Sequence, residues 1–119
     1  MTWVRWGSWL ACLGVALGAF GAHGLREKLS TEAKAVYQTA VLYHLLHAVA
    51  LLGVGWMALL KPMDSWVRLA GWSFCWGIVV FSGSLYALSL TGVKWLGLLT
   101  PFGGLALLLG WVALALAAR

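Results

Sequence analysis

The side chains in this chain best able to do chemistry are three histidines, His23, His44 and His47. His44 and His47 stand three residues apart, and Tyr43 and His47 four apart, so on a helix all three share one broad face. An imidazole can ligate a metal, carry a proton or hydrogen-bond through both nitrogens. Three readings of that face follow. In the first, the rings bond between helices, to Ser82, Ser84, Tyr86, Thr100 or a backbone carbonyl. In the second they hold a metal or haem, but such sites normally add a carboxylate or thiolate, and His-x-x-His alone supplies neither. In the third, His23, Tyr43, His47, Ser84 and Thr100 line a polar cavity or path for a small ligand, a lipid headgroup, an ion or a proton. Polar groups at membrane depth are functional candidates by default, because they are costly there without a partner.

Other chemistry is missing. The three acids, Glu27, Glu32 and Asp64, all fall in polar connecting segments, so no apolar run carries a carboxylate. Proton-coupled pumps and transporters usually rely on one. There is no glycine-rich phosphate loop, no nucleophile elbow and no H-E-x-x-H. Ser82-Gly-Ser84 lacks the strand-and-turn context of a hydrolase serine, and a lone Ser–His pair would need a third, orienting group. The expectation is a protein with no catalytic residues, no metal and no cofactor.

Composition says where these residues must sit. Of 119 residues, 63% are hydrophobic and 9% charged, with a mean hydropathy of +0.93. A soluble domain averages about 25% charged residues. There are too few polar side chains here to cover a water-facing surface, which excludes an ordinary soluble enzyme, a disordered tail and a disulfide scaffold. The net charge of +5 does not signal nucleic acid, since the eight Lys and Arg are scattered at the edges of apolar runs rather than gathered in a stripe. That is where such residues anchor helices at headgroups. Cys12 and Cys75 lie inside apolar runs and are expected as buried small hydrophobes.

Four apolar stretches approach the ~20 residues that cross a ~30 Å hydrocarbon core. They run over about 6–22, 37–60, 69–90 and 96–118. Arg5, an apolar run and small residues at Gly18, Ala19, Gly21 and Ala22 give the first the look of a secretory signal, but it is read here as a span. Backbone groups in lipid must be satisfied within each segment, so the spans should be helices. Short connections make neighbours antiparallel, giving a single all-α domain, a four-helix transmembrane bundle with both termini on one side. Between the first two spans, Leu25, Leu29, Ala33, Val36 and Tyr37 recur at helical spacing opposite Arg26, Glu27, Lys34 and Gln38, which predicts an interfacial amphipathic segment. Ser30 or Thr31 is the expected cap of the second helix. Pro101 suits the first turn of the last span, or else kinks a helix that starts earlier. Lys and Arg divide four against four between the two sides and so do not orient the chain. Lys61 and Arg68, flanking a short loop, favour cytoplasmic termini.

Helix contacts should run through small residues, because lipid gives no hydrophobic drive and close backbone approach must supply the attraction. Gly7, Gly14, Gly18 and Gly21 mark the first span, Gly77 and Gly83 the third, and Gly103, Gly104 and Gly110 the fourth. These faces hold the bundle together, or else join copies in a homo-oligomer. Leucine at Gly18 or Gly83 should overpack its contact by about 1–3 kcal/mol.

Five ordered motifs, Gly18-Ala-Phe-Gly-Ala-His-Gly-Leu25, Thr39-Ala-Val-Leu-Tyr-His-Leu-Leu-His47-Ala48, Phe81-Ser-Gly-Ser-Leu-Tyr86, Thr100-Pro-Phe-Gly-Gly104 and Gly110-Trp111, span nearly the whole chain. Together they resemble the YgdD-like family of small bacterial inner-membrane proteins, domain-of-unknown-function family 423, which has small eukaryotic transmembrane relatives. The resemblance implies a multi-pass membrane protein with no established activity, substrate or cofactor. His23 and His47 fall at positions resembling the family's histidines, and His44 at a more variable one. The leading expectation is a non-enzymatic inner-membrane protein, structural or regulatory, acting in membrane integrity or as partner of a larger membrane complex. Its rivals are an oligomeric carrier or channel, and a haem- or metal-binding electron-transfer subunit.

Overall fold

A computed structural model describes all of residues 1–119. The elements are α1 (Thr2–His23), α2 (Thr31–Leu60), α3 (Ser65–Gly77), a π-helical turn (Ile78–Ser82), α4 (Gly83–Thr91), a 3-10 turn (Lys94–Leu98) and α5 (Thr100–Ala117). α3, the π turn and α4 are continuous, so the chain makes four helices long and apolar enough to cross a membrane. There are no strands, and the architecture is an all-α transmembrane bundle.

The helices stop and start for local reasons. Ser30 caps α2 by accepting the Ala33 N–H at 3.1 Å, and Asp64 caps α3 by accepting the Trp66 N–H at 2.8 Å. α4 ends at Gly92, whose φ of +72° is the left-handed conformation that glycine adopts without strain. Pro101 stands in the first turn of α5, where no backbone bond is lost, and a 3-10 turn rather than a kinked helix precedes it. The amphipathic stretch between the first two spans divides in two. Leu25 to Leu29 form turns, and from Thr31 onward the residues belong to the membrane-crossing helix itself. At 1.5 Å per residue the 30 residues of α2 reach about 45 Å, longer than the hydrocarbon core, so its first turns stand in the headgroup layer.

The packing is a staggered row rather than a square. α1 lies along α2, α2 along α3 and α4, and α5 along α3 and the π turn, in a slab of 47 × 26 × 17 Å. The apolar core gathers Leu51 and Val54 of α2, Val67, Ala70 and Phe74 of α3, and Leu107, Ala113 and Ala117 of α5, with Trp3 closing one end.

Glycines set the approach distances. A Cβ at Gly14 would meet Leu45, one at Gly18 would come within 3.2 Å of Val41, and one at Gly21 would strike the Tyr37 ring. Gly77 faces Leu107, Gly110 faces Phe74, and Gly103 lies against the backbone of Phe81. Gly104 makes only ordinary contact with Phe81, and Gly83 departs from expectation, with nothing within 4 Å of its Cβ position. Six residues separate Gly77 from Gly83, which sets them about 120° apart even on a regular α-helix, so both cannot face the same neighbour. Three further contact glycines, Gly7 against Ala48, Gly55 against Val4 and Gly71 beneath Trp3, lie toward the other end of the slab. Cys12 also departs from expectation. It is exposed on the side of α1 turned away from α2, while Cys75 is half-buried.

Candidate functional site

The polar residues of the membrane core form a set of ties between helices. His44 sits in the middle of α2, 2% exposed, and touches two other spans. Its Nε2 lies 2.7 Å from the Leu10 carbonyl of α1, and its Nδ1 lies 2.8 Å from the Tyr86 hydroxyl of α4. A carbonyl can only accept, so Nε2 carries the proton and donates, leaving Nδ1 to accept from the Tyr86 O–H. One ring therefore binds three spans at one level.

His47, one turn further along α2 and 3% exposed, has the opposite tautomer. Its Nδ1 lies 2.7 Å from the Tyr43 carbonyl, one turn back in its own helix, and so must donate. Its Nε2 then accepts the indole N–H of Trp111 at 2.9 Å, joining α2 to α5. Phe74 and Trp111 pack around the ring, with centroids 5.5 and 5.7 Å away. Each imidazole thus has both nitrogens occupied, with the proton on opposite sides in the two rings.

The hydroxyls complete the set. Ser82 donates to the Ala40 carbonyl of α2 at 2.8 Å. Ser84 lies 2.9 Å from the Phe81 carbonyl and 2.6 Å from Thr100 Oγ1, tying α4 to the start of α5. Tyr37 donates to the Leu17 carbonyl of α1 at 2.5 Å, and its ring meets Tyr86 edge-on at 5.3 Å. No buried side-chain nitrogen or oxygen lacks a partner. In lipid that is the expected state of a packed polar group, since no water can substitute.

The structure gathers some of the expected residues and separates others. His44 and Tyr86 form one tie, His47 another, Ser84 and Thr100 a third, and Ser82 a fourth. Tyr43 lies at the rim, 38% exposed, stacked on His47 at 6.0 Å and tilted against Phe81 at 4.7 Å. His23 is apart from all of them, exposed at the end of α1 and making no hydrogen bond through its ring. The path from His23 through His47 to Thr100 is therefore not a connected one. Sequence reasoning missed Tyr37, Trp111 and the carbonyls of Leu10, Leu17 and Ala40. Tyr37 and Trp111 carry a polar tip on an apolar body, a signal that was available. The carbonyls carry none, because every residue has one.

No three His, Cys, Asp or Glu side chains converge. Among the open spaces beside the ties are two grooves and a cleft. One groove, of about 590 Å³, lies between α2 and α5 beside Tyr43, His47 and Trp111 and is otherwise lined by apolar residues. The other, of about 540 Å³, lies between the end of α1 and the start of α2. The cleft is smaller, about 150 Å³, between Trp3, Trp6, Trp72 and Trp76.

The profile of a family described as "Protein of unknown function (DUF423)" matches residues 17–104, a stretch containing every tie except the Leu10 and Trp111 partners. The chain is similar to the UPF0382 membrane protein YwdK of Bacillus subtilis (strain 168), 47% identical over 75 residues, which is 63% of this chain and 61% of that protein. It is similar to a UPF0382 membrane protein of Staphylococcus epidermidis at 42% over 75 residues, covering 63% of this chain and 60% of the relative. A third, from Haemophilus influenzae, is 42% identical over 71 residues, 60% of this chain and 56% of the relative. The matched stretch thus spans about three fifths of these relatives' length. No solved structure matches.

Proposed function

The chain belongs to the DUF423 family of membrane proteins of unknown function, and on that footing we propose a non-enzymatic, multi-pass protein of the inner (plasma) membrane. Its role is structural or regulatory, in membrane integrity or as partner of a larger membrane complex. The observation that carries this reading is that both nitrogens of His44 and both of His47 are already engaged in bonds between or within helices. A ring used in this way has no free lone pair for a metal and no free site for a passing proton. The hydroxyls of Ser82, Ser84, Tyr37 and Tyr86 are committed in the same manner. Such a core supports rigidity, and a carrier would have to break these bonds in each cycle.

The bilayer is the medium in which the protein acts, and its macromolecular partners are helices, of its own copies or of a membrane complex. Nucleic acid is not among them, because its eight cations are dispersed.

The test is deletion in the native host, followed by dye-permeability and envelope-stress measurements, with affinity purification from native membrane alongside. The expected result is raised permeability restored by the intact gene, or a stoichiometric membrane partner. Normal permeability across conditions with no co-purifying partner overturns the reading. So does proteoliposome flux that disappears in His47→Ala.

A further inference from the structure

The groove between α1 and α2 meets the ties described above only at Tyr37, which lines it while donating to Leu17, and its two ends differ in chemistry. Its inner part is bounded by Gly18 and Gly21 of α1, packed against Val41 and Tyr37, and by Val41, Leu42 and Leu45 of α2. Its outer part carries Arg26 and Lys34. Neither cation has an ion-pair partner, the single ion pair of the protein being Arg119–Asp64 at the opposite end. The nearby acids Glu27 and Glu32 do not line the groove. Arg26 is held in place by the α1–α2 connection, which is pinned by backbone bonds from Gly24 and Leu25 to Phe20 and from Lys28 and Leu29 to Leu25.

Depth in the bilayer fits the two ends. Counting back from Leu60 at the end of α2, about 20 residues span the hydrocarbon core and bring Val41 to its edge. Lys34 stands two turns beyond, about 10 Å further out, in the headgroup layer. The apolar part of the groove therefore lies beside acyl chains and the cationic part beside phosphates. Its volume of about 540 Å³ falls within the ~300–1,000 Å³ usual for sites that hold small molecules.

We propose that this groove is a binding site for one anionic phospholipid, with an acyl chain along Gly18, Val41 and Leu45 and the headgroup phosphate between Arg26 and Lys34. Charge complementarity selects the ligand. Two unpaired cations at headgroup depth favour an anionic over a zwitterionic lipid by about thirtyfold.

The experiment is native mass spectrometry of the full chain extracted from vesicles of equimolar phosphatidylglycerol and phosphatidylcholine. The intact protein should retain phosphatidylglycerol about thirtyfold over phosphatidylcholine. Arg26→Gln/Lys34→Gln, both at the surface, should bring that preference below about threefold. Lys28→Gln/Lys94→Gln, which removes cations lying outside the groove, should leave it at the parent value. Ala22→Trp, which fills the groove, should lose the bound lipid while keeping the helical circular-dichroism spectrum. Millimolar inorganic phosphate or glycerol phosphate should not displace the lipid. Equal retention of both lipids overturns the proposal. An equal loss of preference in the Lys28/Lys94 variant overturns it too, as that is general surface charge. Displacement by free phosphate would make the site an anion site rather than a lipid site.

Discussion

Histidine in hydrocarbon has two nitrogens to satisfy and no water to do it, so its surroundings decide which of them holds the proton. Here the same side chain appears twice on one helix in two tautomers, because His44 faces a carbonyl through Nε2 and His47 faces one through Nδ1. Interhelical hydrogen bonds in membranes couple by about 0.6 kcal/mol on average and up to about 1.7. A double-mutant cycle of His47→Phe and Trp111→Phe, read by reversible unfolding in mixed micelles, should return a coupling in that range. A coupling of zero would mean the indole N–H is not bonded to the ring. Tyr86→Phe should destabilise by about 1–3 kcal/mol, because it removes the only donor to a buried His44 Nδ1. If His44→Phe restores stability to the Tyr86→Phe background, the loss is traced to that orphaned acceptor.

At the scale of the element, the third span carries the most information. Gly83 N–H bonds to the Ile78 carbonyl, five residues back, so this turn holds one residue more than an α-helical turn. Gly83 lies off the interface, and the Phe81 backbone within the turn lies against Gly103 of α5. Two glycine-to-alanine variants separate the consequences. Gly103→Ala should destabilise by about 1–3 kcal/mol, since its methyl would meet backbone that cannot move aside. Gly83→Ala should be neutral or stabilise by up to about 1 kcal/mol, through helix propensity alone. The reverse order in an unfolding assay would contradict this placement of the two glycines. Deleting Val79, exposed within that turn, should also be tolerated better than deleting Leu69 of α3. The first returns a wide turn to a regular one, and the second rotates every later contact by about 100°.

The whole molecule is a thin slab, and its ends are fastened differently from its middle. At one end Lys61 donates to the carbonyls of Ala117 at 2.6 Å and Arg119 at 3.1 Å, so the loop after α2 caps α5. A cation there also meets the negative end of the helix dipole. Lys61→Gln should cost about 0.3–1 kcal/mol. Arg119→Gln should cost less than Lys61→Gln, because its bridge to Asp64 is 4.0 Å long with the arginine side chain exposed, leaving its bond to the Leu116 carbonyl as its main contact. Equal losses would place the fastening in the ion pair instead. Much of the outward surface is Leu, Val, Phe and Trp, so the intact protein should precipitate when amphiphile is removed. A monodisperse species in plain buffer would contradict a membrane fold.

Four membrane-crossing helices and most of the contact glycines were legible in the amino-acid order, which also narrowed the α2 cap to Ser30 or Thr31 and Pro101 to a first turn or a kink. Each depends on composition, on length against bilayer thickness, or on the few residues adjoining it in the chain. Polar residues in the apolar runs were legible too, as a set needing partners. Which atom would partner which was not, and His23 and Gly83 show why. Their types are those of the residues that do make contact, yet His23 ends its helix exposed and away from any partner, and Gly83 faces open space. Backbone carbonyls supply several of the deciding bonds and are the same at every position, so only the packing of one helix on another could select Leu10, Leu17 and Ala40 as acceptors.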